Sequence, residues 1–144
     1  MSTPSYEKMR VFVVDDDPYS VRVLVEHLKT LKIVDVTVIR TLNRAFDVVS
    51  GGTKPDLVIL DLFMPDNWGR LPHDPAKLKL NGYNQGQLLG AVLDRMSIPY
   101  FYYTAQRGFY TADSNDCADV VAAKSDPISD VVKKVKTLLN LPET

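Results

Sequence analysis

Val11-Phe12-Val13-Val14-Asp15-Asp16-Asp17-Pro18 is the stretch whose reading decides the fold. Four apolar residues in a row, three of them valines, describe a strand buried on both faces. Three aspartates stop it abruptly. Asp17 is suited to cap a helix and Pro18 to occupy its first position, after which Val21, Leu24, Val25 and Leu28 recur at helical spacing. The segment therefore reads as strand, acidic turn, helix.

The same unit repeats along the chain. Val34 to Ile39 is a β-branched run, followed by a short helix with Leu42, Ala45, Phe46 and Val49 on one face and Gly51-Gly52 at its end. Leu57 to Leu60 is a third buried strand, introduced by Pro55-Asp56 and ending in Asp61. Leu88, Leu89, Val92, Leu93 and Met96 form the next helical stripe, and Pro99 precedes an aromatic strand, Tyr100 to Tyr103, that ends in Thr104. A weak helix is expected around Ala112 to Cys117. Val120 to Ala123 makes a fifth strand ending at Lys124, and Asp126-Pro127 opens a last helix with Ile128, Val131, Val132, Val135, Leu138 and Leu139 on its apolar side.

Five strands alternating with five helices imply parallel pairing, because parallel neighbours require crossovers and those crossovers are right-handed. The expected fold class is α/β, a doubly wound five-stranded parallel sheet of the (βα)5 flavodoxin-like type with helices on both faces. With 144 residues the chain suits a single domain spanning 1–144. One long segment, about 66–80, carries Gly69, Pro72 and Pro75 with little periodicity and reads as a loop inserted within that domain.

Bulk properties exclude several functions. Apolar residues at 45% and charged residues at 24% suit a globular chain, and a net charge of -1 gives no basic footprint for nucleic acid or an anionic membrane. The single Cys117 cannot form an internal disulfide. No apolar run approaches a membrane span, and Met1 to Arg10 lacks the apolar core of a signal peptide, so the expected location is cytoplasmic.

In open parallel sheets ligands bind beyond the carboxyl ends of the strands, and Asp15, Asp16, Asp61, Thr104 and Lys124 all fall at such ends. Taken singly each has an ordinary reading: a solvated turn, a loop cap, a strand-end threonine, a surface lysine. Adjacent carboxylates after a buried strand are nevertheless costly without a compensating cation.

Together, Val13-Val14-Asp15-Asp16-Asp17-Pro18, the segment Pro55-Asp56-Leu57-Val58-Ile59-Leu60-Asp61-Leu62-Phe63-Met64-Pro65, Thr104-Ala105 and Lys124 resemble the response-regulator receiver family of two-component signalling, with its chemotaxis-regulator-like domains. The resemblance covers nearly the whole chain. It implies that strands one, three, four and five lie side by side, gathering these groups. It implies Asp61 as phosphoacceptor, a magnesium ion held by Asp16, Asp61 and the backbone carbonyl of Phe63 with Asp15 acting through water, and Lys124 and Thr104 as partners of the phosphoryl group. Magnesium is chemically apt, since it takes hard oxygen ligands and suits one or two carboxylates with a phosphate. The implied donor is a sensor histidine kinase or histidine phosphotransfer protein, and the domain is a signalling phosphoacceptor, not a turnover enzyme. The downstream effector stays open.

Departures from the family pattern sharpen the expectations. Ser125 stands where the family usually has proline after the lysine in a cis bond; a cis Lys124-Ser125 bond would cost about 2.5 to 4 kcal/mol, which favours a trans bond or a strained turn. Val121 replaces the usual aromatic switch, leaving Tyr102, Tyr103 or Phe109 as candidates by proximity, with core packing as their ordinary role. The 66–80 insertion follows Asp61 and carries Trp68, Arg70 and His73, which could meet a partner or gate the site, with a packed surface loop as its ordinary reading, and Phe63 could restrict hydrolytic water. Two rival readings are an aspartate-based phosphohydrolase built on Asp15 and Asp17, and a degenerate receiver that binds partners regardless of phosphorylation.

Overall fold

The computed structural model describes residues 8–32, 34–62, 64, 85–105 and 121–141. Five strands form one sheet: β1 (Met9–Val14), β2 (Val34–Ile39), β3 (Leu57–Leu60), β4 (Tyr100–Thr104) and β5 (Val121–Ala123). Their order is β2-β1-β3-β4-β5 and every pairing is parallel. Four helices are described: α1 (Arg22–Lys29), α2 (Leu42–Ser50), α3 (Gln85–Arg95) and α4 (Ile128–Leu138), with a 3-10 turn at Pro18–Val21 leading into α1. This is the expected doubly wound parallel α/β fold. The weak helix around Ala112 to Cys117, the 66–80 insertion, Phe63 and Val120 lie outside the described residues.

The alternation of side chains along each strand separates two apolar layers. Val11, Val13, Leu57, Ile59, Phe101, Tyr103 and Ala122 face one side, where they pack with Leu24 and Leu28 of α1 and Val131 and Val135 of α4. Phe12, Val14, Val58, Leu60, Tyr102 and Val121 face the other, against Leu42, Ala45 and Val49 of α2 and Leu88, Leu89, Val92 and Leu93 of α3. Because both faces are covered, β3 and the last four residues of β1 are unbroken apolar runs. The apolar stripe of α4 departs from expectation at one position: Leu138 is exposed, and Leu139, just past the helix, is the residue that is buried.

Register fixes where the strands end. Val14 pairs with Leu60, Leu60 with Tyr102, and Thr104 with Ala123. The residues that follow, Asp15, Asp61 and Lys124, therefore emerge along one edge of the sheet, beside Thr104 at the end of β4. Backbone bonds hold that edge: Asp15 donates to Ile39 (2.9 Å), Asp61 to Val14 (3.0 Å) and Lys124 to Thr104 (2.8 Å).

Candidate functional site

Carboxylate oxygens of Asp15, Asp16 and Asp61 lie within 4.8 Å of one another at this edge. Asp15 and Asp61 are buried and Asp16 is exposed. Asp15 Oδ1 accepts the Asp17 amide at 2.8 Å, and Asp15 Oδ2 accepts Lys124 Nζ at 2.7 Å. Both oxygens of Asp15 are thus engaged by the protein itself. Asp17 points elsewhere. Its Oδ1 accepts the Tyr19 amide at 3.1 Å and caps the 3-10 turn, as its place before Pro18 leads one to expect.

The Lys124 ammonium also lies 3.6 Å from Asp61 Oδ2, bridging the two buried carboxylates. Burial pulls its pKa down, but the hydrogen bond to Asp15 and the charges of Asp61 and Asp15 outweigh that and hold it above the ordinary 10.5. Lys124 is therefore a fixed cation in this pocket. The turn that presents it contains no cis bond: Lys124-Ser125 is trans. Asp126 bonds back across that turn. Its Oδ2 accepts the Ala123 amide at 3.0 Å while its own amide donates to the Ala123 carbonyl at 2.9 Å, closing the turn reciprocally.

Two further residues shape the site that strand-end reasoning did not select. Ser20 Oγ accepts Lys124 Nζ at 2.7 Å. A serine one turn past an acidic cluster gives no sequence signal for this, because the contact spans more than a hundred residues. Gly86, in the first turn of α3, donates its amide to the Leu62 carbonyl at 2.8 Å. A β-carbon there would overlap the Asp61 carbonyl and press on the Leu62 backbone, so only glycine lets α3 approach the loop after β3 this closely.

Thr104 is buried at the end of β4. Phe63 falls outside the described residues, so the carbonyl proposed as a ligand, and its side chain, have no described position. The donor set fits magnesium on chemical grounds: hard carboxylate oxygens converge, and a single lysine offsets only part of their charge.

No protein-family model matches the sequence, and no curated protein matches it. Solved structures do. The chain is similar to the receiver domain of the Francisella response regulator 1452, with a TM-score of 0.63 and 19% identity, covering 92% of this chain and 98% of that one. It is similar to a CheY-like response regulator receiver domain protein from Methanospirillum hungatei JF-1, with a TM-score of 0.64 and 16% identity over 93% of this chain and 95% of that one. It is also similar to RcsB from Salmonella enterica serovar Typhimurium, bound to promoter rprA in the presence of phosphomimetic BeF3-. There the TM-score is 0.61 and identity 16%, over 94% of this chain and 62% of that chain. The fold is that of response-regulator receiver domains.

Proposed function

We propose that the chain is a phosphoacceptor receiver domain of a two-component or phosphorelay system, with Asp61 as the acceptor. The observation that carries this reading is the meeting of Asp15, Asp16 and Asp61 oxygens within 4.8 Å, with Lys124 Nζ 3.6 Å from Asp61, at the carboxyl edge of a parallel sheet. An Asp61 carboxylate oxygen attacks the phosphorus of a phosphohistidine on a sensor kinase or phosphotransfer protein. The P–N bond breaks, the imidazole keeps the electron pair, and Asp61 becomes an acyl phosphate.

Little acid-base chemistry is required, because transfer depends on positioning and on neutralising the equatorial oxygens. Asp16 and Asp61 would hold magnesium, with Asp15 acting through water and Phe63 contributing its carbonyl. When bound, the ion supplies charge neutralisation for the phosphoryl oxygens. Lys124 adds a second cation beside Asp61. Thr104 donates its hydroxyl to the phosphoryl group, and that contact alters the loop after β4 and hence partner binding. A cytoplasmic location belongs to the same reading; among the described residues no helix is long and apolar enough to cross a membrane.

The hydrolase alternative fits the side chains poorly. A general acid at Asp17 would have to reach the Asp15 pocket, whereas the Asp17 carboxylate caps Tyr19 and is not among the carboxylates that converge there. Incubation of the chain with acetyl phosphate and magnesium, followed by intact mass measurement, tests the reading. A phosphoryl adduct is expected in the wild type and not in Asp61→Asn. Absence of the adduct in wild type, with magnesium binding demonstrated, would identify a degenerate receiver that acts by protein interaction alone.

A further inference from the structure

We infer that Ser20 is a positioning residue for Lys124, a second anchor that fixes the ammonium between Asp15 and Asp61. The consequence for phosphoryl transfer rests on the receiver reading; the anchoring itself does not.

Lysine is a point charge on a stem with four rotatable bonds, and holding it in one place requires directional partners. Lys124 Nζ has three protons. One meets Asp15 Oδ2 at 2.7 Å and one meets Ser20 Oγ at 2.7 Å. Two short bonds leave one N–H direction, and Asp61 Oδ2 lies 3.6 Å from the ammonium. The serine therefore sets where the third proton points, which is toward the acceptor.

The polarity of Ser20 suits this role. Its hydroxyl proton goes to the Asp17 carbonyl at 2.8 Å, and the alternative acceptor, Asp15 Oδ2, is 3.4 Å away, beyond the usual O–H···O range. A lone pair is thus what faces the ammonium. Ser20 sits in the 3-10 turn held by the Asp17 cap and Pro18, so its oxygen is presented from a rigid piece of backbone. It adds no charge, and so it orients Lys124 without drawing it away from the carboxylates. Serine paired with lysine is elsewhere a nucleophile and its base, but an ammonium held by two carboxylates has no lone pair with which to take the serine proton. Orientation is the role the contacts support.

The test uses the full chain as wild type, Ser20→Ala and Ser20→Thr, with two readouts. The Lys124 ammonium is followed by 1H–15N NMR, assigned by its loss in Lys124→Arg, and phosphorylation by acetyl phosphate is followed by intact mass at saturating magnesium. In Ser20→Ala the ammonium protons should exchange with water several-fold faster and the initial phosphorylation rate should fall about fivefold, the scale of one hydrogen bond. Because Lys124 also holds Asp15, magnesium affinity is measured for each variant and the phosphorylation rates are compared at saturating magnesium. Ser20→Thr, which keeps the hydroxyl, should restore both. An unchanged ammonium signal in Ser20→Ala would overturn the anchoring role. A changed signal with an unchanged phosphorylation rate would overturn its part in transfer. If the wild type forms no adduct but the alanine variant still loosens the ammonium, the anchoring stands and the receiver reading is what fails.

Discussion

At the scale of single residues, the site is a balance between three carboxylates and one ammonium. Lys124 and Asp15 are both largely removed from solvent, with side-chain exposures of 14% and 1%. Removing one partner of such a pair leaves an uncompensated charge and costs on the order of 3 kcal/mol. Lys124→Met should therefore destabilise the metal-free protein by about that amount in urea unfolding. Added magnesium should recover more stability in the variant than in wild type, because the cation then offsets charge that the lysine no longer meets. Equal recovery in both proteins would show that Lys124 and the cation do not share the same carboxylates. Lys124 was legible as a strand-end residue, and its doubtful neighbour Ser125 proved compatible with the site through a trans bond. The means were not legible: Asp126 reads in the sequence as a helix start, and its reciprocal bonds with Ala123 exist only once the turn has formed.

At the scale of elements, buried strands and amphipathic helices were readable because their periodicities differ. β1, β3 and β4 appeared as apolar runs and α1, α2 and α3 as stripes. What periodicity does not encode is approach distance, as Gly86 illustrates: one glycine in α3 looks like a weak helix position, yet it is where the helix meets the Asp61 backbone. Gly86→Ala should cost about 1 to 3 kcal/mol by overpacking against backbone, and the displaced acceptor loop should slow phosphorylation. Gly52, at φ 97, would also be strained by alanine but precedes β3, at the opposite end of that strand from Asp61, so Gly52→Ala should destabilise without slowing phosphorylation. The β4–β5 junction carries a pH dependence. Burial pushes the Tyr103 hydroxyl above its ordinary 10.0, Lys124 opposes this, and Asp126 and Asp15 add to it. A pKa raised in the folded state means that the unfolded chain loses its proton first as pH rises. The stability from Tyr103 is then fully present below pH 10.0 and is lost as pH climbs through the higher folded value; Lys124 behaves likewise from 10.5 upward. Urea midpoints should fall as pH rises above 10.0, and Tyr103→Phe should flatten the part of that fall that begins there.

At the scale of the whole molecule, stability and chemistry are drawn from different places. Two apolar layers, one under α1 and α4 and one under α2 and α3, hold the sheet, while its carboxyl edge gathers like charges that oppose folding. The central position of β1 and β3 brings Asp15 and Asp61 together, and this convergence needed the strand order, which local sequence patterns do not contain. The cost of the acidic edge should be measurable as a gain when it is relieved. Asp16→Asn removes one of three repelling carboxylates from an exposed position, so the metal-free variant should be more stable than wild type by on the order of 1 kcal/mol. Magnesium should reverse the ranking. A ligand that binds only the folded chain stabilises it by about 2.7 kcal/mol at a hundred times its dissociation constant. For a domain of this size that is a rise of roughly 8 °C in Tm. Thermal melts of wild type and Asp16→Asn with and without magnesium chloride should therefore cross: the variant melts higher without the ion and lower with it. A rise of equal size in both proteins would mean that magnesium acts elsewhere than at the Asp15, Asp16 and Asp61 cluster, and the metal assignment would have to be abandoned.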